Sequence, residues 1–242
     1  MSAARLLLGS GGLSTEPRRE AWRAALRDFL PASVQRLCFV PFALAQHDAY
    51  VERIEQLDFA GGRRLDGLHR AAEARAALEA AQAVYVGGGN TFRLLDRLQR
   101  MGVLGLLRER VRAGMPYIGI SAGTNVACPT IRTTNDMPIV QPVSLDALGL
   151  VPFQVNPHWF DGPTFVQEGG GYRPYGGETR DDRLREFLEE NARPVLAIAE
   201  GGILRVEGAS ARLLAAPARL FRRGQAPQDL APGTDLSALM GA

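Results

Sequence analysis

Met115-Pro116-Tyr117-Ile118-Gly119-Ile120-Ser121-Ala122-Gly123-Thr124-Asn125 is the stretch on which the reading of this chain turns. Its first half reads as a short buried strand. Gly114 and Pro116 punctuate its start, and Tyr117, Ile118 and Ile120 supply β-favouring side chains. Its second half reads as the start of a helix, with a sharp turn at Ser121 between the two. Gly119 and Gly123 flank the serine in a G-x-S-x-G pattern. Small neighbours let the backbone turn tightly and leave the hydroxyl exposed, as a nucleophile elbow requires. The turn aims the helix N-terminus at the serine, which makes the Ala122 N–H a candidate oxyanion donor. The same pattern also occurs at glycine-rich strand-to-helix turns that carry no chemistry.

Upstream, strands and helices alternate. Strands are expected at Arg5 to Leu8, Val34 to Pro41, near Leu65, and at Val84 to Val86. Helices are expected at Glu16 to Leu30, His47 to Leu57, Ala71 to Ala81, Phe92 to Leu98 and Leu104 to Arg112. Thr15 is a candidate N-cap for the first helix, with Pro17 inside its first turn. This alternation predicts an α/β fold: a doubly wound, mostly parallel sheet with helices on both faces. Ligands then gather at the carboxyl ends of the strands, where Ser121 and the run Gly87-Gly88-Gly89-Asn90 both lie. Downstream, prolines 129, 138, 142 and 152 interrupt the chain. A strand is expected at Val151 to Val155, leading into Asn156-Pro157-His158-Trp159. A glycine-rich loop then spans Asp161 to Gly177, and a helix spans Arg180 to Glu190. Short strands follow at Val195 to Ala199, Ile203 to Val206 and Arg212 to Leu214, with coil beyond.

The 242 residues fit one domain, spanning 1–242, without internal repeat or linker. Formal net charge is +2, and the arginines sit beside acids rather than in a basic stripe, so nucleic acid is an unexpected partner. The sequence contains no lysine, which excludes Schiff-base and P-loop lysine chemistry. Its two cysteines make neither a disulfide framework nor a metal cluster. No apolar run approaches membrane-spanning length and Leu6-Leu7-Leu8 is too short for a signal, so a cytoplasmic protein with neither metal nor cofactor is expected.

A serine nucleophile needs a base, and the base needs an orienting acceptor. Of the three histidines, His47 and His69 fall in predicted helices among polar neighbours and read as surface positions. His158 follows a proline at a strand end in an aromatic setting, and is the candidate base. Asp136, in the loop Thr133-Thr134-Asn135-Asp136-Met137-Pro138, is the leading acid. Asp146 and Asp161 compete with it, and Asp161, Glu178 or Glu200 come next if Asp136 proves dispensable. The glycine run fails the dinucleotide fingerprint, because Phe92 stands where a glycine is needed. With a serine one strand away, backbone N–H groups of Gly88 and Gly89 read better as oxyanion donors beside Ala122.

Five motifs, in order, resemble the peptidase E family, the α-aspartyl dipeptidases: Gly87 to Phe92, Gly119 to Asn125, Thr133 to Pro138, Asn156-Pro157-His158 and Gly177-Glu178-Thr179-Arg180. The resemblance implies a serine hydrolase of family S51 on a fold like that of class I glutamine amidotransferases. It implies cleavage of dipeptides with an N-terminal L-aspartate. By motif, Ser121 falls on the nucleophile, His158 on the base and Asp136 on the third member. Arg180 falls on the arginine associated with the substrate carboxylate, and Asn90 is grouped with it as substrate-binding. A guanidinium fork suits a carboxylate. Two departures stand out: Gly119-Ile120 in place of Gly-Trp, and the length of the Asp161–Gly177 loop. They leave a cyanophycinase-like substrate open. An α/β-hydrolase esterase and a non-catalytic ligand-binding protein remain the alternatives from other classes.

Overall fold

The computed structural model describes residues 4–162, 165–174 and 176–241, so part of the Asp161–Gly177 loop lies outside the described residues. The main sheet has seven strands in the order β11-β10-β1-β5-β4-β2-β3. Its parallel centre comprises β1 (Arg5–Gly9), β2 (Arg36–Val40), β3 (Arg64–Gly67), β4 (Val84–Val86) and β5 (Tyr117–Ile120). The connections are helical: α1 (Glu16–Phe29), α2 (His47–Gln56), α3 (Ala74–Ala80), α4 (Thr91–Arg100) and α5 (Leu104–Arg112). After β5 the chain turns into the short α6 (Ala122–Ala127).

Alternation along each strand sends successive side chains to opposite faces. Leu6 and Leu8 of β1 enter one core with Val40, Val86, Tyr117 and the apolar faces of α4, α5 and α6. Leu7 enters the other with Phe39, Tyr85, Ile118 and the Trp22, Leu26 and Phe29 face of α1. Both faces of the sheet are therefore covered, as the near-continuous apolar runs of β1, β2 and β5 demand. Thr15 stands at the N-cap of α1, yet its hydroxyl makes no capping hydrogen bond.

A second sheet, of order β13-β12-β9-β6, stands beyond the first core. It contains β6 (Gln154–Trp159), β9 (Val195–Ala199), β12 (Ala218–Phe221) and β13 (Gln228–Leu230). The hairpin β7 (Phe165–Glu168) and β8 (Gly171–Pro174) projects between β6 and α7 (Arg180–Glu190). β10 (Ile203–Glu207) and β11 (Ser210–Ala215) return the chain antiparallel to the edge of the main sheet. Three expectations shift here. The strand expected at Val151 to Val155 instead runs through Pro157 and His158, the glycine-rich loop carries a hairpin, and the tail after β11 is two further strands with a final 3-10 turn at Ser237–Gly241.

The elbow fixes its own glycines. A Cβ on Gly123 would lie 2.2 Å from the Val86 carbonyl oxygen, and one on Gly119 would lie 2.7 Å from the Gly123 carbonyl oxygen. Neither contact can be relieved by rotating a side chain, because both meet backbone. Gly123→Ala is expected to destabilise the fold by about 1–3 kcal/mol, the range for overpacking a tight interior. The check is the midpoint of urea unfolding, and a midpoint equal to wild type would show that β4 and α6 can part without cost.

Candidate active site

All five parallel strands end at one edge of the sheet, and the site is assembled there. Ser121 follows β5 in a conformation that side chains rarely adopt, φ 54° and ψ −107°. Its N–H donates to the Gly9 carbonyl at 2.8 Å, and its carbonyl accepts from Thr124 and Asn125 as α6 begins. The hydroxyl is thereby lifted clear of the sheet edge. It meets His158 Nε2 at 2.7 Å. On the far side of the ring, His158 Nδ1 lies 2.5 Å from Glu200 Oε2. With the proton on Nδ1, the imidazole donates to Glu200 and presents a lone pair to the Ser121 hydroxyl.

Asp136, the acid expected beside His158, is elsewhere. Its Oδ2 accepts from the Thr91 N–H at 2.7 Å, the Thr91 hydroxyl at 2.6 Å and the Thr134 hydroxyl at 3.0 Å. A carboxylate at the first residue of α4 neutralises unpaired helix N–H groups, which is why it is drawn there. Glu200 takes the place against the imidazole because it sits in the turn directly after β9, the strand beside the one that bears His158. Asp161 binds Arg219 and Glu178 binds Arg183, so neither competes.

Of the expected oxyanion donors, Gly88 lies across from the serine: a Cβ there would stand 3.2 Å from Ser121 Cβ. Gly89 has φ +132°, which only glycine adopts readily, and folds back onto the Ala43 carbonyl. Tyr50 lies beneath this loop, its hydroxyl against Gly87, and burial raises that phenol above its usual range. Ala122 opens α6, where helix N–H groups have no partner of their own. Asn90 caps α4 by accepting from the Arg93 N–H at 3.0 Å, while its amide donates to the Met137 carbonyl at 2.9 Å. Both ends of that side chain are thus spent on holding the glycine run against the 133–138 segment.

Arg180 opens α7 and reaches back to Asn135, whose Oδ1 accepts from its guanidinium at 2.6 Å. Asn135 in turn donates to the Pro157 carbonyl, next to His158. No ion pair among the described residues includes Arg180: the neighbouring Asp181 is held by Arg219 and Arg185, and Glu178 by Arg183. Burial, with the repulsion of Arg183 second, pushes the Arg180 guanidinium below its usual value. This half-buried cation shares a cavity of about 210 Å³ with Asp136, Asn135 and Asn156.

The other two histidines stand apart. His69 is less exposed than expected, at 12% of its side chain, in a 3-10 turn where its Nε2 meets Asp48 at 2.9 Å. Cys38 and Cys128 are buried free thiols, pushed up by burial to about 12, and neither offers a thiolate. Among the described residues no cluster of His, Cys, Asp and Glu is arranged to hold a metal ion, and no helix is long and apolar enough to cross a membrane.

The model of peptidase family S51 matches residues 5–214. The chain belongs to peptidase family S51. As a member of S51 it is a serine-type dipeptidase of the peptidase E kind. A "Peptidase E" of Streptomyces coelicolor is 54% identical over 213 residues, covering 88% of this chain and 84% of that protein. A Drosophila melanogaster protein named "Probable alpha-aspartyl dipeptidase" is 44% identical over 245 residues, covering 99% of each. The fold is shared with the crystal structure of a peptidase from an acI-B1 Actinobacterium, at a TM-score of 0.64 and 16% identity over 97% of each chain. The S51 match spans β1 to β11, and so takes in Ser121, His158, Arg180 and Glu200 together.

Proposed function

We propose that this chain hydrolyses dipeptides with an N-terminal L-aspartate through a Ser121–His158–Glu200 triad and an acyl-enzyme. The observation that carries the reading is the 2.7 Å contact of a strained elbow serine with an imidazole whose other nitrogen is anchored on a carboxylate. His158 Nε2 takes the Ser121 proton as Oγ attacks the peptide carbonyl. In this reading the developing oxyanion is held by backbone N–H groups of the Gly88-Gly89 run and of Ala122. The imidazolium then gives its proton to the leaving amine, and a water activated by the same imidazole releases aspartate. Two buried free thiols suit a reducing cytoplasm, the compartment we assign.

Arg180 supplies the selectivity in this reading. A half-buried cation with no ion-pair partner among the described residues is costly unless an anion arrives, and the short aspartyl side chain brings one. Its guanidinium binds the β-carboxylate while Asn135 holds one arm of the fork. Arg180→Ala is expected to cost about 2–5 kcal/mol in kcat/KM for Asp-Leu, the range for breaking a desolvated charge pair. Arg180→Lys keeps the charge but loses the fork, and should also be impaired. A glutamyl side chain carries its carboxylate about 1.3 Å further, on ordinary bond lengths, and should be rejected. The test is a panel of Asp-Leu, Asn-Leu, Glu-Leu and Ala-Leu with wild type and Arg180→Ala. An Asp-Leu to Asn-Leu ratio unchanged by the substitution would remove Arg180 from this role. Failure of wild type to release aspartate from Asp-Leu would overturn the reading.

A further inference from the structure

The end of β1 and the loop after it, Gly9-Ser10-Gly11-Gly12, touch every member of the array. The Gly9 carbonyl accepts the Ser121 N–H at 2.8 Å. The Ser10 hydroxyl accepts the His158 N–H at 2.6 Å. The Gly12 N–H donates to Glu200 Oε1 at 2.9 Å, leaving Oε2 for the imidazole. On the loop's side only one of these contacts is made by a side chain, and that side chain is Ser10.

The surroundings of Ser10 show why a hydroxyl is placed there. β6 runs parallel to β9 with Asn156 opposite Ala197, but Trp159, not His158, lies opposite Ala199. Two residues of β6, Pro157 and His158, therefore face the single Ile198 of β9. The extra residue is a bulge, a device that re-aims a side chain at the cost of broken ladder bonds. It leaves His158 at φ 58°, a conformation that only a firmly held residue keeps. It also takes the His158 N–H and the Ile198 carbonyl out of the ladder. The Ser10 hydroxyl fills that gap from the other sheet: it accepts from His158 and donates to Ile198 at 2.8 Å. Ser10 is fully buried, so water cannot substitute for it freely. The loop itself is pinned by Trp22, whose indole donates to the Gly11 carbonyl at 2.8 Å.

We infer that Ser10 is a positioning residue for the base: its hydroxyl bridges the β6 bulge and holds His158 in the strained backbone conformation that puts Nε2 on Ser121. This rests on the serine-hydrolase reading above but not on its aspartyl selectivity. Without the bridge, His158 can relax toward an ordinary strand conformation, and a displacement of the order of 1 Å at a reacting group costs up to about a hundredfold.

The test avoids the dipeptide altogether. A small alkyl fluorophosphonate phosphonylates Ser121: Oγ displaces fluoride, and the hydroxyl proton passes to His158. The rate is compared in wild type, Ser10→Ala and Ser121→Ala, alongside thermal unfolding of each. Proton NMR supplies a second readout, because an Nδ1 proton shared with a carboxylate resonates at low field and the chain has only 3 histidines among which to assign it. Ser10→Ala is expected to slow labelling about ten- to a hundredfold while still unfolding well above the assay temperature, and to broaden or lose the low-field resonance. Labelling within twofold of wild type, or a slow variant that keeps the resonance unchanged, would overturn the inference while leaving the hydrolase intact. No labelling of wild type would overturn the hydrolase and this inference with it.

Discussion

Ser121→Ala and His158→Ala should each lower kcat/KM for Asp-Leu by about 10⁴-fold or more, and the double variant should be little worse than either. The reason lies in the contact between them. The serine hydroxyl is a poor nucleophile until its proton can leave, and in the proposed reading His158 Nε2, at 2.7 Å, receives it. Removing the acceptor and removing the nucleophile disable the same event, so the losses do not add. What remains in each variant is binding and the oxyanion donors. Ser121→Ala replaces a hydroxyl with hydrogen at a position whose backbone is held by Gly9 and by α6, and should fold as wild type does. The double cycle is measured by released amino acid under identical conditions. Losses that multiply would mean that the two side chains act in separate steps, and would break the shared unit.

The parts of this site that the sequence made legible are those encoded locally. The elbow is written in two glycines four residues apart, each excluded from any larger side chain by backbone it approaches. The parallel sheet is written in apolar runs separated by amphipathic helices, and the strand ends carry Gly87-Gly88-Gly89 and Ser121 to one edge. His158 could be chosen because the chain has so few histidines. The rest depends on pairing between distant segments. Pro157 reads as a strand terminator, since it cannot donate to a ladder. β6 accommodates it by bulging at that very point, and the bulge aims His158. The hairpin did carry a signal: Gly169-Gly170, both with positive φ, joins residues that pair as Glu168 with Gly171, the geometry a two-residue turn needs. It was hidden inside a stretch that reads as loop because of its glycines. Glu200 has no local signature at all. It is one of many acids, followed by Gly201-Gly202, and it becomes the partner of His158 only because β9 lies beside β6. Asp136 reads as a triad acid because it stands in a motif close behind the serine, yet its neighbours are Thr91 at the start of α4 and Thr134.

Glu200→Gln should reduce kcat/KM by about 10³–10⁴-fold, whereas Asp136→Asn should cost less than tenfold in rate and about 1 kcal/mol in stability. The contrast follows from counting acceptor atoms. Glu200 has two oxygens and uses both: Oε1 accepts the Gly12 N–H at 2.9 Å, and Oε2 faces His158 Nδ1. Arg18, 3.9 Å from Oε1, also favours an oxygen there. Glutamine has one oxygen and one NH₂. Gly12 and Arg18 orient the oxygen toward themselves, which turns the NH₂ on His158 Nδ1. The imidazole must then accept at Nδ1 and carry its proton on Nε2, the nitrogen that faces the serine. A protonated Nε2 cannot take the Ser121 proton, and the array is inverted rather than weakened. Asp136 is different. Its bonds go to the Thr91 N–H and to hydroxyls that can rotate, and an asparagine oxygen still accepts from the start of α4. What is lost is a charge at a helix N-terminus, a modest contribution. Both variants are measured against Asp-Leu across pH 6–9, with urea unfolding in parallel. A silent Glu200→Gln beside an Asp136→Asn crippled in kcat would return the acid's role to Asp136, through a rearrangement of the 133–138 segment on substrate binding.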